Sequence, residues 1–330
     1  MKTLPAAEPH LSEAEAEEVF GWILDGETSE EEIARFLIEI TDRSESAEEI
    51  AGAARALRAR MIPIDGPANA IDVCGTGGDG HHTLNVSTAV GLVVAACGIP
   101  VARHGNRAIS SLSGVADTLE VLGLDMAAAG RTAEKTLNEI GICFLFAPNH
   151  HPAMGRIQPI RKKLGRRTIF NLMGPLSNPA GVQRQLIGIA RPAYVPIYAD
   201  ARARLGTERT LIVSGDEGLD ELSLAGGNEV ADVRGATFEM QRVNASMAGL
   251  RNAPVEAIRG GDPAHNAKAL KALLEGMPGP YRDAVAFNAA AALMVAGAAD
   301  GWEEGAAKAQ EALDSGAAMR LLERWIELAK

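Results

Sequence analysis

Between residues 11 and 61 apolar side chains recur at helical spacing: Phe20, Ile23 and Leu24 share one face, and Ile33, Phe36, Leu37 and Ile40 another. Each pattern follows a start signal. Ser12 with Glu15, Thr28 with Glu31 and Ser46 with Glu49 have the spacing at which side chain and backbone cap each other, and Gly26 supplies a stop between the first two. Three or four short helices are therefore predicted, enough for a small all-α domain. Met61-Ile-Pro-Ile-Asp-Gly-Pro-Ala68, with two prolines and a glycine, reads as a linker or hinge.

From Ala70 the pattern changes. Short apolar runs at Ala70–Val73, Val101–Arg103, Cys143–Phe146, Leu186–Gly188, Leu211–Ser214 and Val285–Phe287 alternate with Ala-rich helical stretches such as Val90–Cys97, Pro263–Leu274 and Asn288–Ala298. That alternation predicts an α/β domain around a central, mostly parallel sheet. The stretch Arg156–Asn178 interrupts it with a basic, helix-like run and a Gly174-Pro175 turn. The expected division is a small helical domain, 1–66, joined by part of 156–182, beside a larger α/β domain made of 69–155 and 183–330.

At 330 residues and 47% hydrophobic, the chain can bury a sizeable core, about two domains of roughly 150 residues each. A net charge of −11 means that the average surface repels polyanions, so neither nucleic acid nor an anionic membrane is expected as a partner. Any anion site must then be a local basic pocket. Met1-Lys-Thr-Leu-Pro-Ala-Ala lacks the apolar core of an export signal, and the apolar run around Val90–Cys97 is too short to span a bilayer. Cys74, Cys97 and Cys143 are odd in number and widely spaced, which predicts reduced thiols and a cytoplasmic location.

The chemistry concentrates in four places. Asp72-Val-Cys-Gly-Thr-Gly-Gly-Asp-Gly-His-His-Thr-Leu-Asn-Val-Ser-Thr88 runs from a short strand through glycines into cap-type residues that open a helix, the order of a phosphate cradle. It matches neither the P-loop nor the dinucleotide fingerprint. Arg103-His-Gly-Asn-Arg-Ala-Ile-Ser-Ser111 gathers two guanidiniums, an imidazole, an amide and two hydroxyls, a natural shell for an oxyanion. Asp220-Glu221 sits in a Gly-bearing loop after a predicted strand, and such a pair suits magnesium sharing its shell with substrate phosphates. In Arg161-Lys-Lys-Leu-Gly-Arg-Arg167 most of the charge reads as a solvated face, with one arginine available to fix a substrate carboxylate. His81-His82 and His150-His151 have no Cys, Asp or Glu at ligand spacing, so zinc is set aside.

These motifs, in this order, resemble those of anthranilate phosphoribosyltransferases. The likeness rests on Gly75-Thr-Gly-Gly-Asp79, Asn85-Val-Ser-Thr88, His104-Gly-Asn-Arg107 with Ser110-Ser111, Phe146-Ala-Pro148 with His151-Pro-Ala-Met154, Arg167-Thr-Ile-Phe-Asn171 with Gly174-Pro-Leu176 and Asn178-Pro179, and Gly218-Leu-Asp-Glu-Leu-Ser223. It implies a small helical domain beside a larger α/β domain, a homodimer formed through the helical parts, and magnesium-dependent transfer of phosphoribose from phosphoribosyl pyrophosphate to the amine of anthranilate. It further implies that the phosphoribosyl donor is held by Gly75, Gly78, Asp79, Thr83, Asn85, Val86, Ser87 and Thr88, then by Arg103, His104, Gly105, Asn106, Arg107, Ala108, Ile109, Ser110 and Ser111, and at Val115. By the same likeness Gly75, Asn106 and Arg161 contact anthranilate, and Ser87, Asp220 and Glu221 bind Mg2+. His104, by its imidazole chemistry, is a candidate for orienting substrate or receiving a late proton.

Two positions depart from the family's pattern. Arg103 replaces a lysine, and Val115 replaces a small polar residue that would contact the phosphoribosyl group. A pyrimidine nucleoside phosphorylase is the enzymatic alternative, but its loop begins with Lys and Ser where this chain has Asp72-Val-Cys-Gly-Thr. A non-catalytic nucleic-acid-binding homologue would call for a basic surface and for loss of Ser87, Asn106, Arg161, Asp220 and Glu221, all of which are present.

Overall fold

The computed structural model describes residues 1–107 and 113–330. Seven strands form one sheet: β1 Ile71–Gly75, β2 Val101–Gly105, β3 Ile142–Phe146, β4 Arg184–Gly188, β5 Arg209–Gly215, β6 Gly227–Arg234 and β7 Thr237–Asn244, in the order β3-β2-β1-β4-β5-β6-β7. The five strands from β3 to β5 run parallel, while β5–β6 and β6–β7 pair antiparallel. The sheet is mostly parallel, as the apolar runs imply. The pattern did not mark β6 and β7, because their apolar residues are separated by charges and glycine, and most of β7 faces solvent at the sheet edge.

One expected strand is corrected. Val285–Phe287 lies inside the helix Pro280–Ala296, which is buried along most of its length. Three apolar residues cannot by themselves distinguish a strand from a turn of an all-round apolar helix, and Asn288, which follows them, does not end the segment but is buried in the helix with its amide donating to Leu222 O and Ala284 O at 2.9 Å.

Period-two alternation divides the sheet's buried side chains between two cores. Ile71, Val73, Leu186, Leu211, Val213 and Val230 pack with the helix Val86–Ala96 and with Pro280–Ala296. Ile187, Ile212, Ala231 and Val233 face the other way, into a core shared with three N-terminal helices, α1 Glu13–Asp25, α2 Glu30–Arg43 and α3 Ala47–Arg58. Ile157, Ile160, Ile169, Phe170 and Leu176 belong to that second core as well. Phe20 lies 6.0 Å from Phe36 and 5.7 Å from Phe170 between ring centroids, which fixes the 169–171 turn against α1. Each such fully buried aromatic contributes roughly 1.5–3 kcal/mol.

The capping boxes form at Ser12/Glu15 and Ser46/Glu49. The middle one is displaced by a residue: Ser29, not Thr28, caps α2 and accepts from Glu32 N at 3.3 Å. Both residues have Glu three positions on, and the tie is broken by Thr28 being buried with its hydroxyl unpartnered. Residues 61–66 are irregular but tied down, since Ile62 N donates to His150 O at 2.8 Å and Ile64 N to Pro179 O at 3.1 Å. Among the described residues no helix is long and apolar enough to cross a membrane.

Candidate active site

Strand order reverses between β1 and β4, and in open α/β sheets ligands bind at such a point, beyond the carboxyl ends of the strands. The glycine loop, Arg103, Arg167 and the acidic pair meet there. β1 ends at Gly75, and the loop that follows turns through Gly77 (φ 69°) and Gly78 (φ 75°) before α4, Val86–Ala96, begins. Asp220 arrives from the loop after β5. Its Oδ2 accepts from Gly77 N at 2.6 Å, and a Cβ on Gly75 would lie 2.3 Å from that oxygen. On Gly188, at the end of β4, a Cβ would lie 1.6 Å from Asp220 O. Only glycines let the carboxylate reach the loop backbone.

Next along the chain, Glu221 Oε1 accepts from Ser87 N at 3.1 Å and so caps the first turn of α4. Asn85 occupies the cap position but makes no side-chain cap bond. Its Oδ1 instead accepts from Thr118 Oγ1 at 2.8 Å and Asn266 Nδ2 at 3.0 Å, which joins three segments behind the cradle. Tyr281 OH donates to Asn85 O at 3.1 Å. Thr83 bridges to Arg259, and Leu84 N donates to Ile258 O at 2.8 Å, so the 258–266 segment braces the loop from outside. Val86 is buried, and Thr88 is buried with a hydroxyl that has no partner among the described residues.

The two carboxylates are electrostatically strained. Burial raises Asp220 well above the ordinary carboxylate range, and the charges of Asp79 and Glu221 add to it. Glu221 is pushed up to about 7, chiefly by burial, although Arg103 and the Ser87 hydrogen bonds pull the other way. A divalent cation would relieve both. Among the described residues no three His, Cys, Asp or Glu side chains form a closed metal cage. Two carboxylates and a hydroxyl, beside an unpartnered Thr88 hydroxyl, fit a magnesium ion that takes its remaining ligands from phosphate and water.

Arg103 is not a loop residue on the surface. It is 5% exposed on β2, donates from Nη2 to Ser87 Oγ at 2.9 Å and from Nη1 to His104 O at 2.9 Å, and lies 4.0 Å from Asp72. Asp72, fully buried, accepts from His104 N at 3.2 Å and Asn178 Nδ2 at 2.9 Å. Burial nevertheless raises its pKa, outweighing Arg103. His104 Nδ1 lies 3.1 Å from Gly174 O, and because a carbonyl only accepts, Nδ1 carries the proton and Nε2 keeps a free lone pair. Among the described residues Nε2 has no partner. Burial, then the neighbouring His151, lowers His104 to about 3. The two rings are 5.1 Å apart, and His151 is lowered to about 4 mainly by burial.

Gly105 and Asn106 are half-buried at the end of β2, and Asn106 Oδ1 accepts from Arg107 N at 2.8 Å. Arg107 points outward, 3.0 Å from Asp117 and 2.6 Å from Glu120. Ala108, Ile109, Ser110 and Ser111 lie outside the described residues. Val115 opens α5, Val115–Val121, and packs partly against the core. Asp79 Oδ1 accepts from His81 N at 3.0 Å, beside Asp220. Arg161, on the helix Met154–Leu164, is half-buried, and burial lowers its pKa. No carboxylate among the described residues pairs with it.

Sequence reasoning missed three groups. Asp72 read as part of a strand, while His151 and Arg167 entered only as members of likeness motifs, beside a zinc reading that was set aside and a partly solvated basic face; yet Arg167 Nη1 donates to Gly78 O at 3.2 Å. Asp72 had one signal, a carboxylate inside an apolar run. A surface groove of about 580 Å3 near Arg43, Ile197 and Phe238 collects none of this chemistry.

Residues 6–61 match a family model described as glycosyl transferase family, helical bundle domain, and residues 67–319 match glycosyl transferase family, a/b domain. The chain is 78% identical over 329 residues, all of both chains, to an anthranilate phosphoribosyltransferase of Erythrobacter litoralis. It superposes with a TM-score of 0.89 on the anthranilate phosphoribosyltransferase of Thermus thermophilus, at 42% identity, covering 97% of this chain and 96% of the other. The TM-score is also 0.89, at 32% identity, with the Saccharomyces cerevisiae enzyme in complex with PRPP and Mg, covering 98% and 95%. A fold shared over the whole length, with identity this high and the glycine loop and acidic pair in the order the motifs require, leads to one conclusion: the chain belongs to the anthranilate phosphoribosyltransferase family, within the glycosyl transferases.

Proposed function

We propose that the chain transfers phosphoribose from phosphoribosyl pyrophosphate to the amine of anthranilate, giving N-(5-phosphoribosyl)anthranilate and pyrophosphate, the second step from chorismate to tryptophan. The observation that carries this reading is the meeting of Asp220 with Gly77 N and Glu221 with Ser87 N at the carboxyl end of β1. A glycine-lined cradle faces two acids there, an arrangement with little use unless an anion and a cation enter together. The nucleoside phosphorylase alternative has no such support in the loop, and the acidic surface argues against a nucleic-acid binder.

In this reading Gly75, Gly78, Asp79, Thr83 and residues 85–88 hold the donor, Ser87, Asp220 and Glu221 would hold magnesium, and Asn106 and Arg161 orient anthranilate. Magnesium, when bound, neutralises charge that builds up on the diphosphate. The loop amides and the first turn of α4 present N–H donors to the same anion. Arg103 holds Ser87 in place from behind and is itself held by Asp72. The amine of anthranilate has a free lone pair, so the reaction needs orientation more than a strong base. His104 is neutral, with Nε2 available to accept a hydrogen bond or a late proton.

A helical unit of 1–66 with part of 156–182, set against an α/β unit of 69–155 and 183–330, is supported by the shared core of α1–α3 with Ile157, Ile160 and Phe170. A cytoplasmic setting is supported by the three free cysteines. The homodimer through the helical unit follows from the family likeness, and light scattering tests it. For the activity, the test is loss of anthranilate fluorescence on mixing with phosphoribosyl pyrophosphate and magnesium. Wild type should consume anthranilate, and Asp220→Asn with Glu221→Gln should abolish turnover; full activity in the folded double variant would remove the metal role.

A further inference from the structure

Arg167 occupies a place that the transfer reading has not yet used. Its backbone belongs to the helical side, since the following residues Ile169 and Phe170 are buried against α1 and α2. Its side chain crosses to the glycine loop and donates to Gly78 O at 3.2 Å. A Cβ on Gly78 would lie 3.4 Å from Arg167 Nη1, so the loop presents its bare backbone to the guanidinium. Asp220 grips the same loop at Gly75 and Gly77. The loop is thus bracketed by a metal-binding acid and by an arginine.

That arginine is under-used by the protein. Gly78 O takes one of its five N–H donors, and no carboxylate among the described residues forms an ion pair with it. Burial lowers its pKa, with the like charge of Arg191 adding to the effect, and both arginines line a cavity of about 20 Å3 with Glu45 and Tyr194. A half-buried guanidinium with spare donors beside a phosphate cradle is matched to a polyphosphate oxygen, which it can bind through two parallel hydrogen bonds.

We propose that Arg167 donates to the diphosphate of the donor held in the glycine loop, and so stabilises the leaving group from the side opposite the acidic pair. The inference rests on the transfer reading above. In that step the C1–O bond breaks with its electron pair passing to the diphosphate, the amine lone pair forms the C1–N bond, and the amine proton is lost to His104 Nε2 or to water. Negative charge grows on the diphosphate, the group that Arg167 faces. Arg166, its neighbour, pairs with Asp42 at the surface and has no part in this.

The test separates charge from simple tethering of the loop. Arg167→Gln can still donate to Gly78 O but has no charge, and Arg167→Ala can do neither. Both should lower kcat/KM for phosphoribosyl pyrophosphate by about 100-fold, as loss of a leaving-group donor does elsewhere. Product inhibition by pyrophosphate with magnesium should weaken by about tenfold, while KM for anthranilate stays within about twofold. Arg166→Ala should behave as wild type. Folded Arg167→Gln with wild-type pyrophosphate inhibition and donor kcat/KM would overturn the proposal and leave a tether. Should Arg167→Ala not fold, Arg167→Gln and Arg167→Lys decide on the same two measurements. A wild-type chain that consumes no anthranilate would sink the transfer reading instead, which is a separate result.

Discussion

Gly75 and Asp220 are in contact with no room to spare: the carboxylate of Asp220 fills the space where any side chain at position 75 would begin. The acid that would bind metal therefore rests on the backbone of the loop that would bind phosphate.

Gly75→Ala places a methyl carbon 2.3 Å from Asp220 Oδ2, so either the loop or the acid must move. Relieving such a clash costs about 1–3 kcal/mol. Thermal unfolding should shift down accordingly, and the magnesium concentration needed for half-maximal rate should rise. A wild-type magnesium activation curve in this variant would show that Asp220 does not need its present position.

His104 supplies a pH dependence whose sign is fixed by burial. Its pKa falls from the ordinary 6.5 to about 3, so between those values the unfolded chain binds a proton that the folded chain does not. This contribution is complete above pH 6.5 and is lost as pH falls toward 3, at about 1.4 kcal/mol per pH unit. Denaturant unfolding of wild type and His104→Asn at several pH values should show the shallower acid decline in the variant. Identical slopes would mean that His104 titrates normally when folded. The same neutrality predicts no limb near pH 6.5 from this residue in the rate profile.

Arg161 carries a half-buried charge that no carboxylate among the described residues pairs with, a state that costs energy unless a ligand supplies the anion. Replacing it with alanine should raise KM for anthranilate by about tenfold to a hundredfold, the value of one charge-assisted contact, and leave KM for phosphoribosyl pyrophosphate nearly unchanged. Equal weakening toward both substrates would place Arg161 outside the anthranilate pocket.

What could be read without a structure was whatever is local. Helical spacing and Ser/Thr-x-x-Glu signals gave three or four helices, of which three form, with two starts in place and an error of one residue at Thr28/Ser29 because both satisfied the same rule. The glycine loop, the Arg103 cluster and the acidic pair stood out because each packs several unusual residue types into a few positions. Val285–Phe287 failed for the complementary reason: a three-residue apolar run contains too little information to set its own period.

The amino-acid order by itself therefore determined the helical and α/β units, and it singled out the glycine run within residues 75–88 and the acids that meet it. Tertiary structure alone decided which of these groups touch. Gly77 and Asp220 are 143 positions apart, and Ser87 and Glu221 are 134 apart. It also turned Arg167 toward Gly78, sank Arg103 against Asp72 and set His151 beside His104. Such pairings depend on strand order and on which face of the sheet a side chain occupies, quantities that hydrogen bonding between distant segments fixes and that no short window of residues contains.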